Sequence, residues 1–130
     1  MQSVIAAHER GDYAAVFAAY DPDIDWYPGQ ARGADWSDFE PVYHGHEGVR
    51  NFWRTWFEAW EAVDFQYREF IDAGEHVVTI LSQRMRGRTS GVELEWDSYA
   101  QVWTLRRGKV VRVQFFANRE EALEVIGPPE

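Results

Sequence analysis

The apolar residues between positions 43 and 60 recur at a helical spacing. Val49, Phe52, Trp53, Trp56 and Trp60 fall at the i, i+3, i+4, i+7 intervals that stack side chains on one helical face, and Arg50, Arg54, Glu58 and Glu61 fall on the other. Gly45 and Gly48 permit a tight approach, and Glu47 stands where the positive end of the helix dipole favours an acid. The helix is therefore predicted to begin near Glu47 or Gly48. An aromatic stripe of this kind has two readings. Burial alone explains it as core; set against a concave partner surface, it forms one wall of an apolar ligand pocket.

Composition limits what surrounds that helix. With 45% hydrophobic and 16% aromatic residues, the 130 positions supply one core, so a single domain over residues 1–130 is expected. The 13 basic residues against 22 acidic ones give a net charge of -9 with no basic run, which speaks against nucleic acid or an anionic membrane surface as partner. No apolar segment approaches the roughly 20 residues that span a bilayer, and no signal pattern opens the chain, so a cytoplasmic protein is expected. The absence of cysteine removes disulfides, thiolate metal sites and a cysteine nucleophile.

Before the central helix, residues 3–20 read as two short helices broken at Gly11-Asp12, where Asp12 can cap the second. Val4, Ile5 and His8 share one face of the first, and Val16, Phe17 and Tyr20 share one face of the second. Asp21-Pro22-Asp23 is predicted to stop the helix. Residues 24–27 then alternate as a short strand, with Asp25 and Tyr27 on one face and Ile24 and Trp26 on the other. Residues 30–42 read as a long loop pinned by Trp36 and Phe39, placed to cover a pocket. After the helix the period changes to two. Strands are predicted over 65–71, 76–88, 92–106 and 109–117, joined by turns at Gly74, Gly91 and Gly108 into an antiparallel meander. Asn118 can cap a last helix over 119–126.

The local sequence fits that order. Tyr43-His44-Gly45-His46-Glu47-Gly48-Val49-Arg50 resembles the Y-x-G-x-x-G/A-hydrophobic-R opening of the third helix in the nuclear transport factor 2-like superfamily. Val102-Trp103-Thr104-Leu105-Arg106-Arg107-Gly108-Lys109-Val110-Val111-Arg112 resembles its late hairpin, and Phe116-Ala117-Asn118-Arg119-Glu120-Glu121-Ala122-Leu123 resembles the D-R-x-E-A-L ending of SnoaL-like members. The resemblance implies an α+β cone, a curved antiparallel sheet wrapped around helices. It also implies a small-molecule ligand, a homodimer through the outer sheet face, and no cofactor. The fold hosts isomerases, polyketide cyclases, dehydratases and non-catalytic binders, so the reaction has to be argued from the site. The catalytic places of the ketosteroid isomerases fall on Val4, Tyr27 and about Val102 here, and none carries the residue type used there.

Two functions from different classes follow. One is a binder of an uncharged, largely apolar ligand, with Phe17, Phe52, Trp53, Trp56, Val113 and Phe115 as walls and Tyr99 and Gln101 as polar anchors. The other is a cofactor-independent lyase, isomerase or polyketide-cyclase-type enzyme using Asp25, Tyr27 or His46 as acid or base. His44 and His46 lie at the helix start, where the dipole disfavours a protonated ring. No third ligand accompanies them at metal-binding spacing, so no metal is expected. Gln101 cannot perform acid–base chemistry, which favours binding. Tyr99, Gln101 and Trp103 share one strand face; inward they orient a ligand, and outward they lie on a dimer surface. Arg50, Arg54, Arg84, Arg86 and Arg112 are all expected on solvent faces, leaving the pocket without charge. Tyr67, Trp103 and Phe116 supply the aromatic outer patch from which the homodimer is argued.

Overall fold

The computed structural model describes residues 6–7, 10–28 and 42–126. Its elements run α1 (Tyr13–Ala19), β1 (Tyr20–Tyr27), β2 (Tyr43–His44), α2 (Gly45–Ala59), β3 (Trp60–Ala73), β4 (His76–Gly87), β5 (Glu93–Arg106), β6 (Lys109–Phe116) and α3 (Arg119–Ile126). The first predicted helix face with Val4, Ile5 and His8, and the loop with Trp36 and Phe39, lie outside the described residues. Among the described residues no helix is long and apolar enough to cross a membrane.

Local chemistry fixes most of the boundaries. Gly11 takes a positive φ of 73°, and Asp12 Oδ1 then accepts the Ala15 amide at 3.2 Å to start α1. Gly45, at φ 74°, opens α2 two to three residues earlier than the acidic signal suggested, because a left-handed turn there lets the helix follow β2 directly. Gly48 is required for a different reason, since a Cβ would stand 3.2 Å from the Tyr43 carbonyl carbon. At the far end, Asn118 Oδ1 accepts the Glu121 amide at 2.9 Å while Glu121 Oε2 accepts the Ala117 amide at 3.2 Å, a reciprocal cap.

The six strands form one curled sheet in the order β2-β1-β6-β5-β4-β3. β3 to β6 make the predicted antiparallel meander. The sheet as a whole is mixed, however, because β1 lies parallel to β6, with Asp25 beside Arg112 and Trp26 beside Val113. A parallel partner needs a long crossover, and the chain between β1 and β6 provides it. β1 is also longer than expected and runs straight through Pro22. The pairing with β6 is interrupted between Tyr20 and Asp25, so the missing proline N–H falls where no ladder bond is made. Further bulges interrupt the pairing between Ala62 and Asp64, Tyr67 and Glu69, Leu81 and Gln83, and Thr104 and Leu105. Such insertions bend a sheet and raise its twist.

Curling separates two cores. On the inner face, Val49, Phe52 and Trp56 of α2 pack with Leu81, Met85, Tyr99, Trp103, Val113 and Phe115, and with Ile24 and Trp26 of β1. On the outer face, Ala122 of α3 packs on Val78, Ile80, Ala100, Val102 and Phe116. Tyr99, Gln101 and Trp103 therefore face inward. The aromatics from which a dimer surface was argued are placed otherwise: Trp103 is in the inner core, Tyr67 packs against it, and Phe116 lies beneath α3. Strict alternation along 109–117 would set Val111 on one face with Val113 and Phe115, and the structure departs from it. Val111 falls at the bulge opposite Thr104 and Leu105, so Val110, rather than Val111, joins Val113 and Phe115 in the inner core.

Candidate functional site

Two helical stripes face each other at the open side of the inner core. Tyr13, Val16, Phe17 and Tyr20 follow i, i+3, i+4, i+7 along α1 into the first residue of β1, and Arg50, Trp53 and Phe57 follow i, i+3, i+7 on α2. Together they line a groove of about 410 Å³, within the range of small-molecule sites. Val16 and Tyr20 are buried at its base, Phe17 and Trp53 are half-buried, and Tyr13 and Phe57 are exposed at the rim. The Trp53 ring stacks on Phe57 at 5.6 Å and meets Trp26 edge-on at 5.8 Å, which fixes one wall. Phe17 meets Tyr20 at 5.5 Å and fixes the other. Burial, then the neighbouring Tyr67, pushes the Tyr20 phenol well above its usual range, so it remains a neutral hydroxyl at neutral pH.

Arg50 departs from expectation. Its side chain is exposed, yet it lines the groove, with the guanidinium carbon 4.7 Å above the Phe17 ring. Among the described residues no carboxylate pairs with it. Among the described residues the groove is therefore lined by apolar side chains with one cation at its edge, against the expectation of a pocket without charge. The spacing to Trp53 and Phe57 carried that signal; counting Arg50 on the polar face concealed it.

The predicted wall residues divide. Phe17 and Trp53 line the groove, whereas Phe52, Trp56, Tyr99, Val113 and Phe115 are interior to the core, each 5% exposed or less. Gln101 is tied up beneath them: Trp103 Nε1 donates to Thr79 Oγ1 at 3.0 Å, and Thr79 Oγ1 donates to Gln101 Oε1 at 2.9 Å. Tyr99 likewise donates to Gln83 Oε1 at 2.8 Å. Trp26 Nε1 is the exception among the described residues, a buried donor with no acceptor. Tyr13, Tyr20, Arg50 and Phe57 are the groove residues that sequence reasoning did not assign to a site.

The candidate acids and bases lie apart from one another. Ile24 and Trp26 take the inward face of β1, which turns Asp25 and Tyr27 outward. Asp25 Oδ1 meets His44 Nδ1 at 2.8 Å on the surface, and His44 Nε2 lies 3.8 Å from Asp23. The hydrogen bond to Asp25 raises the His44 pKa, opposed in part by desolvation and helped by the charges of Asp25 and Asp23, so the dipole expectation fails for this ring. Tyr27 lies beneath Arg112, whose guanidinium carbon is 6.0 Å from the ring centre. His46 packs on a groove residue, its ring 5.5 Å from Phe17, without lining the groove itself, and Nε2 contacts the Tyr20 carbonyl at 2.8 Å. A carbonyl only accepts, so that nitrogen carries the proton and His46 serves as a clasp between α2 and β1. Arg84 and Arg86 are exposed opposite Glu95 and Glu93, with Arg86 and Glu93 3.5 Å apart. Among the described residues no group of three or more potential ligands could hold a metal ion.

An α+β cone with helices in the mouth of a curled sheet is the fold of the nuclear transport factor 2-like class. The SnoaL-like domain model matches residues 1–113, and the chain belongs to that family. It is similar to a nuclear transport factor 2-like protein of Burkholderia thailandensis, with 28% identity, 96% of this chain and 92% of that one covered, and a TM-score of 0.72. A protein of Mesorhizobium loti, proposed by its name to be a SnoaL-like polyketide cyclase, has 19% identity over 88% of this chain and 93% of its own, with a TM-score of 0.71. TerC, co-crystallized with polyporic acid, has 20% identity over 95% of this chain and 92% of its own, with a TM-score of 0.68. The search of curated proteins gives no significant match.

Proposed function

We propose that the protein binds a small molecule with a flat, largely apolar body in the groove between α1 and α2. The observation that carries this is the groove itself: about 410 Å³ walled by Val16, Phe17, Tyr20, Trp53 and Phe57, open to solvent at the Tyr13 and Phe57 rim and set on the inner core. Burying an aromatic ligand against such walls is worth about 25 cal/mol per Å² of apolar surface. TerC, of the same fold, was co-crystallized with a small molecule, which is consistent with this use of the fold. Binding is favoured over catalysis because Asp25 and Tyr27 face away from the groove and His46 is committed to a backbone carbonyl.

Titration calorimetry with 2-naphthol, a neutral two-ring probe, tests this. The wild-type protein is expected to bind it, and Trp53→Ala to weaken binding about tenfold by removing one wall. Equal affinity in the two proteins, or no binding to either, refutes the groove as the site.

A further inference from the structure

We infer that the groove is selective for a monoanion, an aromatic or polycyclic carboxylic acid whose carboxylate is held by Arg50. This rests on the groove being the ligand site. The guanidinium carbon lies over the Phe17 ring, 4.7 Å from its centre. Among the described residues no hydrogen bond or ion pair occupies its planar fork of N–H donors, which suits a bidentate acceptor. Among the described residues Arg50 is the one charged group lining the groove and has no carboxylate partner, although acids outnumber bases 22 to 13 in the chain. In an acidic protein an arginine held over an aromatic ring without a counter-ion supplies local charge complementarity that the rest of the surface lacks. The stack also pre-orders a long side chain, which lowers the entropy lost when an anion binds.

Two features narrow the class. A single cation matches a single negative charge, and the net charge of -9 disfavours a dianion such as a phosphate monoester. The buried end of the groove is apolar surface, with Val16 and the Tyr20 ring at its base, so the inner end of the ligand is apolar too. The ligand is thus oriented with its ring system inward against Val16 and Trp53 and its carboxylate outward at Arg50.

The test is titration calorimetry of 2-naphthoate, 2-naphthamide and 2-naphthyl phosphate at neutral pH, on wild type and Arg50→Gln. Arg50 is exposed, so the variant is expected to keep the wild-type circular dichroism and melting temperature. Wild type is expected to bind the carboxylate about tenfold more tightly than the amide, as one charge-assisted contact provides, and more tightly than the phosphate. In Arg50→Gln the carboxylate and amide are expected to bind within twofold of each other. If amide and carboxylate bind wild type equally, or the preference survives the substitution, the groove reading stands and the anion inference fails. If the phosphate binds most tightly, the monoanion class is wrong. If none of the three binds wild type, the groove reading fails and this inference with it.

Discussion

Trp26 and Trp103 are a matched pair that differs in one hydrogen bond. Both indoles belong to the inner core, exposed by 1% and 3%, and both touch the Tyr20 ring, at 6.1 Å and 6.4 Å. Trp103 Nε1 donates to Thr79, whereas Trp26 Nε1 has no acceptor. Replacing either with phenylalanine removes nearly the same volume, so the cavity and transfer costs largely cancel between the two variants. What remains is the polar difference. Trp103→Phe loses a net bond worth about 1 kcal/mol, and Trp26→Phe removes a buried donor whose desolvation cost is on the order of 1–3 kcal/mol. Trp103→Phe should therefore be less stable than Trp26→Phe by about 2–4 kcal/mol. With a urea slope of roughly 2 kcal/mol per M, the two midpoints should separate by about 1–2 M. Equilibrium urea unfolding followed by circular dichroism measures this directly. Equal midpoints, or a lower one for Trp26→Phe, would mean that the unpaired donor is not a cost in the native state and would refute the reasoning.

Trp56→Ala should lose about 3–5 kcal/mol of stability, because the ring is 3% exposed between Phe52 and Trp60. Trp53→Ala should lose less than about 2 kcal/mol while weakening ligand binding, since that ring is half-buried on the groove wall; denaturant melts and calorimetry on both variants separate the roles. His44 should titrate above 6.5 by NMR, and Asp25→Asn should lower its pKa, because the Asp25 hydrogen bond is the largest cause of the shift. The sign follows from a raised native pKa: the His44–Asp25 contribution is full below pH 6.5 and fades as pH rises through the native value. An unchanged histidine shift in Asp25→Asn would remove that assignment.

The elements most legible in the sequence were those set by short-range chemistry. Asp12 and Asn118 cap helices where their side chains can reach the next turn, Gly74 and Gly108 close hairpins, and the period of α2 was read correctly through Val49, Phe52 and Trp56. Relations between distant segments were not legible. Nothing in residues 20–27 indicates that their neighbour is β6, so the mixed sheet could not be read, and Pro22 looked like a stop because the interruption that accommodates it belongs to the pairing. The site suffered in the same way. Stripe periodicity identifies a face, but it does not say whether the opposing surface fills it or leaves a gap. Phe52, Trp53 and Trp56 are alike in sequence, yet only Trp53 meets open space, because α1 approaches the edge of that stripe and not its centre.

The parallel pairing of β1 with β6 also governs when the groove comes into being. The meander grows by contacts between neighbours in the chain, each closing a short loop. β1 can join only after β6 exists, through the longest loop closure in the sheet, and such non-local contacts form slowly. Tyr20 pairs with Val110 across that junction and is at the same time the base of the groove. A ligand of the groove would therefore contact only chains in which β1 and β6 have paired, and by mass action it would stabilise those copies over partly assembled ones.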